Sequence, residues 1–496
     1  MFKPKVRMTV LGGPADRNNP TGSCLLLEIR IGKFETRGLI DVGMWQGKDA
    51  SKRNALLPPH PERLDFIVLT HPHTDHAGRL PFAVKNGFCG RVFCTKPTAA
   101  LLPPMLLDSA KIVQMEARNR KRKASRAIPT KRKQRKKRAR QFKPPEFVFS
   151  DKDVEQSLAL IKCEGYDYYD WIHLGKRLYL KFYPSGHVLG GGICVLRIDR
   201  NSSPENSIYI GFSGDLGRED GIILPSPVKV KEKLDWWMTE STYGGMKHPP
   251  RDKEISKLIG LLYRAQENGG KILIPSFSLE RTQELMYILS CYMREGKAPP
   301  LTIYLDSPLA EKITRVFAAH WDDALLFKGQ EELDFNPFDR QENPYLKVVE
   351  DMHASIRLME TSGSCIIIAG AGMCDAGRIR DHLKKALPDK KNTICLVGHM
   401  VEGTLGRKLS EMQNPVHMNG YEISVRADIV QFQSFSAHGD KGVLVGYPKR
   451  IVIKKGVFIL HGDRERSHQL QQDLRKKLSR DVTVYIPALN EAISLT

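Results

Sequence analysis

Short apolar runs separated by Gly-, Pro- and Asn-containing turns mark the first half of the chain. Runs of this length with such boundaries are typical of β-strands. One long helix is also predicted, over residues 98–116, despite an internal Pro-Pro pair. The predicted strands lie at 6–11, 23–31, 35–40, 65–70, 91–94, 147–149, 177–183, 207–212 and 236–239.

The pattern changes after about residue 247, where short apolar runs alternate with helical segments. Buried strands that alternate with helices predict a parallel α/β sheet. The strands are predicted at 271–275, 301–305, 365–369 and 392–397, and the helices at 251–268, 281–295 and 377–386. The end of the chain returns to strands, predicted at 429–432, 456–460 and 482–487.

A cluster of metal-binding residue types directly follows the predicted strand at 65–70. Three imidazoles and one carboxylate fall within six residues, at His71, His73, Asp75 and His76. Imidazole and carboxylate are common zinc ligands, and loops at strand ends often carry functional groups. The density of the cluster favours a metal-binding loop over a polar loop with chance histidines. His71 and His73 can bind one ion while Asp75 and His76 turn to a second ion nearby.

Other predicted strands also end in an acid or a histidine. His187 lies in a glycine-rich turn, Asp215 follows Ser-Gly, and Glu240 precedes Ser-Thr-Tyr-Gly. Each residue alone would fit an ordinary turn, but strand ends at one edge of a sheet converge on one site. Asp41, next to a glycine at another strand end, could support a metal site from behind or could be a turn aspartate.

The net charge of +21 is concentrated in one segment, residues 118–143, which has 15 Lys or Arg and no acid. Removing these 15 charges leaves about +6 for the rest of the chain. A basic segment of this density favours a polyanionic partner, and we expect it to contact nucleic acid. A solvated insertion or a nuclear-import-like signal would give the same composition.

The length of 496 residues and a hydrophobic content of 41% predict two or three domains. No apolar run has the length of a membrane span, and no apolar signal region follows the basic start. The nine cysteines are scattered without a CxxC pair. We therefore expect a cytoplasmic protein that has free, mostly buried thiols and does not associate with membranes.

Seven motifs in chain order are similar to those of the metallo-β-lactamase superfamily in its β-CASP nuclease branch. Asp41, the cluster at 71–76, His187 and Asp215 match the four metal-site motifs. The three β-CASP motifs are matched by Glu240, by His438 in Phe-Ser-Ala-His and by His461 in Leu-His-Gly-Asp.

This resemblance implies an α/β fold, namely an αββα sandwich with an inserted β-CASP α/β domain. The metallo-β-lactamase domain would comprise residues 1–243, with the basic insertion 118–143, and residues 435–496. The β-CASP domain would comprise residues 244–434.

The resemblance also implies two zinc ions per chain. His71, His73 and His187 would bind one ion, and Asp75, His76 and His461 the other. Asp215 would bridge the two ions, and Asp41 would orient ligands from behind. The catalytic residues are expected to be His438, which would donate a proton to the leaving oxygen, Glu240, which would position it, and Asp75.

The third β-CASP motif bears on the substrate, because members of the family that act on RNA carry histidine there. His461 therefore points to RNA, and single-stranded RNA is the expected partner. The context of His438 and the segment 402–407 resemble the 3′-end-processing endonuclease of cleavage and polyadenylation complexes. A zinc-dependent endoribonuclease is thus predicted, and dimerisation is common in relatives. The alternatives are a 5′-3′ exoribonuclease of the RNase J type, a small-molecule metallo-hydrolase, a DNA nuclease and a non-enzymatic scaffold.

Strand-to-helix turns in the predicted β-CASP domain offer backbone N–H groups that can bind phosphate, although ordinary turns have the same composition. Glu280 departs from the family, which often carries glycine at this place. The candidate substrate-binding residues are Ser276, Arg281, Ser307, Gly370, Gly372 and Arg378.

Overall fold

The computed structural model describes residues 4–14, 21–47, 49–126, 146–162, 164–200, 206–323, 326–328, 333–398 and 400–496. The chain forms two compact units. The first unit comprises residues 1–219, 226–246 and 438–496, and the second comprises residues 220–225 and 247–437. The domain limits predicted after residues 243 and 434 fall near these divisions and remain predictions. The basic run beyond residue 126 lies outside the described residues.

Two sheets form the centre of the first unit. The first sheet has the order β21-β1-β2-β3-β4-β5, with β1 Lys5–Gly12, β2 Cys24–Ile31, β3 Phe34–Ile40, β4 Phe66–Val68, β5 Arg91–Phe93 and β21 Ala492–Ser494. The second has the order β20-β19-β10-β9-β8-β7-β6, with β6 Ile172–Gly175, β7 Leu178–Pro184, β8 Gly192–Ile198, β9 Ile208–Phe212, β10 Lys233–Thr239, β19 Val452–Ile459 and β20 Thr483–Tyr485.

The helices of the first unit come from two parts of the chain, one before and one after the residues of the second unit. They are α1 Ala50–Asn54, α2 Thr74–Ala77, α3 Leu80–Lys85, α4 Lys96–Arg126, α5 Asp151–Leu158, α12 Lys441–Arg450 and α13 Arg464–Lys477, with a 3₁₀ turn at Pro61–Arg63.

Three layers of apolar side chains connect the parts of the first unit. The facing sides of the two sheets share one core, which includes Met8, Leu27, Leu196 and Ile210. The other face of the first sheet packs on α3, α4 and α5, and the other face of the second packs on α12 and α13. Burial on both faces explains the near-continuous apolar strands, and the predicted αββα sandwich is confirmed.

The second unit contains a parallel sheet of order β13-β12-β14-β11-β15-β18. Its strands are β11 Lys271–Pro275, β12 Ile303–Leu305, β13 Leu346–Val348, β14 Cys365–Ala369, β15 Thr393–Val397 and β18 Asp428–Phe432, with a separate hairpin of β16 Val416–Met418 and β17 Tyr421–Ile423. The helices are α6 Arg251–Asn268, α7 Arg281–Arg294, α8 Pro308–His320, α9 Met352–Glu360, α10 Ile379–Ala386 and α11 Leu405–Ser410. The predicted alternation of strand and helix is therefore present.

Several local features differ from the sequence prediction. The strand predicted at 147–149 is wrong, because this segment pairs with no other strand among the described residues and instead buries Phe147 and Phe149 against the helices. Five short strands, β6, β13, β16, β17 and β21, were not predicted.

The strand β8 was not predicted, because its start continues the glycine-rich turn around His187. It nevertheless pairs antiparallel with both β7 and β9 and is buried almost throughout. The helix predicted over 98–116 extends to Arg126, with a Glu116–Arg120 ion pair one turn apart in its last part.

The described cysteines are free, and all of them except Cys89 are buried, as the sequence predicted. Burial raises the pKa of the Cys94 thiol to about 12, so this thiol is held in its unreactive protonated form. Among the described helices, none combines the length and hydropathy of a membrane span.

Candidate functional site

The predicted site residues of the first unit lie in loops at the ends of its strands. The cluster at 71–76 follows β4, and His187 lies in the turn between β7 and β8. Asp215, Glu240 and His461 follow β9, β10 and β19, respectively. Because β9, β10 and β19 are parallel neighbours, their carboxyl ends lie at one edge of the second sheet. His438, which precedes α12, joins them there.

One group of ligand atoms consists of three histidines and one carboxylate. His73 Nδ1 lies 3.1 Å from His71 Nε2 and 3.3 Å from His187 Nε2. Asp215 Oδ2 lies 3.6 Å from the Nε2 atoms of both His71 and His187. The four residues offer atoms within 4.8 Å of one another, as a shared metal ion requires.

A second group is formed by Asp75, His76 and His461, whose ligand atoms also lie within 4.8 Å of one another. His461 Nε2 is 3.5 Å from Asp75 Oδ2. Asp215 Oδ1 lies 3.4 Å from His76 Nε2 and 3.3 Å from His461 Nδ1. Asp215 therefore directs one carboxylate oxygen to each group of ligands.

Asp41 supports the second group from behind. Its Oδ2 lies 2.7 Å from His76 Nδ1, which leaves the Nε2 atom of this ring for the site. The backbone N–H and the hydroxyl of Thr70 donate to Asp41 at 2.8 and 3.0 Å. Asp41 and His461 both adopt positive φ angles, 59° and 48°, which non-glycine residues seldom adopt.

Thr70 was not among the sequence candidates, although it immediately precedes the histidine cluster. Its hydroxyl also lies 3.0 Å from His71 Nδ1, so this one side chain contacts both Asp41 and a ligand histidine. Thr70 could have been found from the sequence, because it is a polar residue at the end of a buried strand and directly precedes the cluster.

Gly43 allows the loop after β3 to lie directly on α2. A Cβ at Gly43 would come 1.6 Å from the carbonyl oxygen of Asp75. The close approach is held by backbone hydrogen bonds from Val42 to His76 and from Met44 to Thr74, both 2.8 Å. Glycine at this position thus brings Asp41 within reach of His76.

We expect Asp41→Ala to reduce metal affinity by roughly 10- to 100-fold, because His76 loses the carboxylate that orients its ring. Metal titration of the purified variant measures this change. The matched control is Asp65→Ala. Asp65 precedes β4, the strand that the histidine cluster follows, and accepts a backbone hydrogen bond from Arg37 at the end of β4 remote from the cluster. Equal affinities for the Asp41 variant and the native protein would contradict the orienting role.

His438 and Glu240 form a pair next to the metal groups. His438 Nδ1 lies 3.3 Å from Glu240 Oε1 and 4.0 Å from Asp215 Oδ2. Glu240 is itself held by the backbone N–H groups of Leu216 and Thr242. Burial lowers the pKa of His438, but the Glu240 carboxylate outweighs it and raises the pKa above its usual value. The imidazole therefore keeps its proton more readily than an isolated histidine does.

The pKa values of the histidines in the site shift in opposite directions, according to whether burial or a neighbouring carboxylate has the larger effect. Burial lowers the pKa of His73 to about 4 and that of His71 well below its ordinary value. Burial acts in the same direction on His76, but Asp215 and Asp41 outweigh it and raise its pKa. Neutral imidazole is the form that binds metal, so His71 and His73 are already in the ligand form at neutral pH.

The donor set fits metal ions. Among the described residues, several buried polar atoms make no hydrogen bond, and five of them belong to this cluster. A buried polar atom without a hydrogen bond costs roughly 1–3 kcal/mol. Coordination of a cation would remove that cost for the atoms that face the ligand groups, such as His76 Nε2 and Asp215 Oδ1. The five atoms are His76 Nε2, His187 Nδ1, Asp215 Oδ1 and both ring nitrogens of His461.

In the second unit, the structure brings four of the six predicted substrate-binding residues to the carboxyl ends of adjacent parallel strands. Ser276, Ser307 and Gly370 follow β11, β12 and β14. A Cβ at Gly370 would lie 3.3 Å from Ser307 Oγ, and one at Gly372 would lie 3.2 Å from the ring of Phe277. Ligands of open parallel sheets bind at this edge.

The two arginine candidates are engaged within the second unit. Arg281 Nη1 donates to the carbonyl of Val397 at 2.5 Å. Arg378 Nη1 donates to Asp306 Oδ1 at 2.6 Å, and its side chain is only 13% exposed. These contacts fix the guanidinium groups and offset part of their charge. Asp306, which was not among the predicted site residues, is the carboxylate that holds Arg378.

Asp306 is completely buried and accepts from three side chains. His382 Nε2 lies 2.6 Å and Ser355 Oγ 2.5 Å from its Oδ2, and Arg378 donates to its Oδ1. Burial raises the pKa of Asp306, but these hydrogen bonds outweigh it and lower the pKa below its usual value. The carboxylate is therefore ionised at neutral pH.

We expect Asp306→Asn to lower the free energy of unfolding by roughly 3 kcal/mol, because it leaves the half-buried Arg378 without its counter-charge and breaks a buried hydrogen-bond network. Denaturant unfolding measures the loss. The control is Asp334→Asn, since the Asp334–Arg294 pair is exposed to solvent and should contribute little to stability. Similar small effects of both changes would contradict a stabilising role for Asp306.

The sandwich and its histidine- and aspartate-rich site define a metallo-hydrolase of the metallo-β-lactamase type. Residues 21–156 match the profile of the metallo-beta-lactamase superfamily. Residues 282–409 match the Beta-Casp domain, and residues 422–487 match the Zn-dependent metallo-hydrolase RNA specificity domain.

Three relatives illustrate the similarity. Ribonuclease TTHA0252 of Thermus thermophilus is 30% identical over 87% of this chain and 88% of its own length. An RNase J-like protein of Methanocaldococcus jannaschii is 28% identical over 94% of both chains. Endoribonuclease YSH1 of Yarrowia lipolytica is 27% identical over 87% of this chain and 48% of its own length. The chain belongs to the metallo-β-lactamase/β-CASP family of ribonucleases, which are hydrolases.

Proposed function

We propose that the protein is an endoribonuclease that hydrolyses single-stranded RNA with two zinc ions. The position of Asp215 carries this proposal. Its two carboxylate oxygens face separate groups of ligands, at 3.6 Å on one side and at 3.3–3.4 Å on the other. A carboxylate placed in this way can bridge two cations, which a single imidazole cannot do.

His71, His73 and His187 would hold one ion, and Asp75, His76 and His461 would hold the other, with Asp215 shared. When bound, such ions lower the pKa of a coordinated water and neutralise charge on a phosphate. The carboxylate of Asp75 is expected to be ionised, because His461, whose Nε2 lies 3.5 Å away, and the neighbouring histidines outweigh its burial and keep its pKa low. Asp41 and Thr70 would keep His76 and His71 in their ligand orientations.

His438 would act as the general acid. Its imidazole, whose pKa Glu240 raises, would give a proton to the leaving 3′ oxygen of the RNA. Glu240 would hold the ring through the 3.3 Å contact to Nδ1, so that Nε2 carries the proton that is transferred. Ser276, Arg281, Ser307, Gly370, Gly372 and Arg378 would bind the RNA strand in the second unit.

Cleavage within the strand is proposed because of the similarity to a relative named as an endoribonuclease. A second candidate is a 5′-3′ exoribonuclease, favoured by the similarity to an RNase J-like protein along nearly the whole of both chains. Dimerisation and a cytoplasmic location remain predictions from the sequence.

A single substrate panel tests the proposal. The zinc-loaded protein is incubated with linear RNA, a circular RNA of the same sequence, matched DNA and a chromogenic lactam. We expect cleavage of both RNAs and neither of the other substrates. Cleavage of linear RNA alone would indicate the exonuclease, because a circle has no 5′ end. Hydrolysis of the lactam or DNA in place of RNA would overturn the proposal.

A further inference from the structure

Phe277 is an exposed aromatic residue at the carboxyl edge of the parallel sheet in the second unit. It follows β11 and is 45% exposed, whereas its neighbours Ser276 and Leu279 are buried. Scattered exposed apolar side chains are common and by themselves indicate nothing. Phe277 differs from such residues because it lies between two of the predicted substrate-binding positions, Ser276 and the turn at Gly370–Gly372.

The turn that carries Phe277 brings its ring against Gly372. A Cβ added at Gly372 would come 3.2 Å from the Cδ2 and Cε2 atoms of the ring. The hydroxyl of Thr282 donates to the Phe277 carbonyl at 2.7 Å and fixes the backbone of the turn. A ring on a turn whose backbone is fixed loses less conformational entropy on contact with a ligand than a ring on a free loop does.

The neighbouring groups suit a nucleotide. The guanidinium carbon of Arg281 lies 5.9 Å from the centre of the Phe277 ring, although this arginine also donates to Val397. Gly370 and Ser307 bring backbone and hydroxyl groups to the same edge, where phosphate oxygens can be bound. Nucleobases of single strands stack on aromatic side chains of this kind, whatever their sequence.

We propose that Phe277 is a stacking platform for one nucleobase of single-stranded RNA. This inference rests on the proposed function for its substrate class and adds a residue that positions the strand. Stacking on a single ring would affect the affinity for RNA and leave the chemistry at the metal groups unchanged.

The test uses the full chain and an uncleavable 2′-O-methyl RNA oligonucleotide that carries 2-aminopurine at successive positions. Stacking of this base on an aromatic ring quenches its fluorescence. We expect binding to the native protein to quench one position most strongly. Phe277→Ala and Phe277→Leu should lose that quenching and bind roughly 10-fold more weakly, whereas Phe277→Tyr should retain both properties.

Tyr421→Ala is the matched control, because Tyr421 is also an exposed aromatic residue, 59% against 45% for Phe277, but lies on the separate β16–β17 hairpin. It should bind as the native protein does. Metal content and hydrolysis of bis(p-nitrophenyl) phosphate should be the same in all variants. Native-like binding and quenching by Phe277→Leu would overturn the stacking proposal, as would the absence of RNA binding by the native protein. Binding with quenching but without RNA cleavage would instead reject only the nuclease proposal.

Discussion

Asp215→Ala is expected to lose metal and RNA cleavage together. Its two oxygens face both ligand groups, so its removal takes one ligand from each. Loss of an outer partner of a ligand costs roughly 10- to 100-fold in affinity, and loss of a shared ligand should exceed that range. Metal analysis of the purified variant and cleavage of end-labelled RNA measure the two effects.

The control for this change is Asp199→Ala. Asp199 is also a buried carboxylate of the second sheet, but it accepts from Ser207 and pairs with Arg197 instead of facing the ligand groups. We expect this variant to keep its metal even if it is less stable. An Asp215 variant that kept its full metal content would contradict the bridging position. Loss of one ion only would show that the two groups load independently.

His438→Ala is expected to keep its metal and to lose turnover on RNA by roughly 10²- to 10⁴-fold, the usual contribution of a general acid. The reason is its place beside Glu240, outside the two ligand groups. The loss should be much smaller, below roughly 10-fold, with bis(p-nitrophenyl) phosphate, because the p-nitrophenolate leaving group needs no proton.

Glu240→Gln provides the companion measurement for His438. It preserves the shape of the residue but removes the charge that raises the pKa of the imidazole. The His438 imidazole would then lose its proton at a lower pH. The activity on RNA should therefore begin to fall at a lower pH than in the native protein. Equal losses of the His438 variant on RNA and on the activated ester would contradict the role of proton donor.

Much of the first unit could be predicted from the sequence because central strands such as β4 and β9 are almost wholly buried and therefore appear as short apolar runs. The histidine cluster at 71–76 was evident for the same reason, since its polar residues directly follow such a run. The strand β8 was missed because a glycine-rich turn precedes it and conceals its start. Its existence depends on pairing with β7 and β9, which are tertiary contacts.

In the second unit, most of the elements could be predicted from the sequence but the contacts between distant residues could not. Its alternating elements were predicted, and so were the turns with Ser276, Ser307 and Gly370. The sequence did not indicate that Asp306 holds Arg378, or that Phe277 packs on Gly372 with nearly half of its surface exposed. These contacts join residues about 70 to 95 positions apart, and local patterns carry no information about such pairs.

The sequence by itself determined which residue types are available for metal binding, the order of the motifs and the class of fold. Short-range patterns of burial and turns suffice for this, because they reflect the local environment of each residue. Only the tertiary structure decided that His461, almost 400 positions after His71, meets the same carboxylate. Parallel pairing of β9, β10 and β19 places their ends at one edge, and this pairing directs the two oxygens of Asp215 to two different groups of ligands.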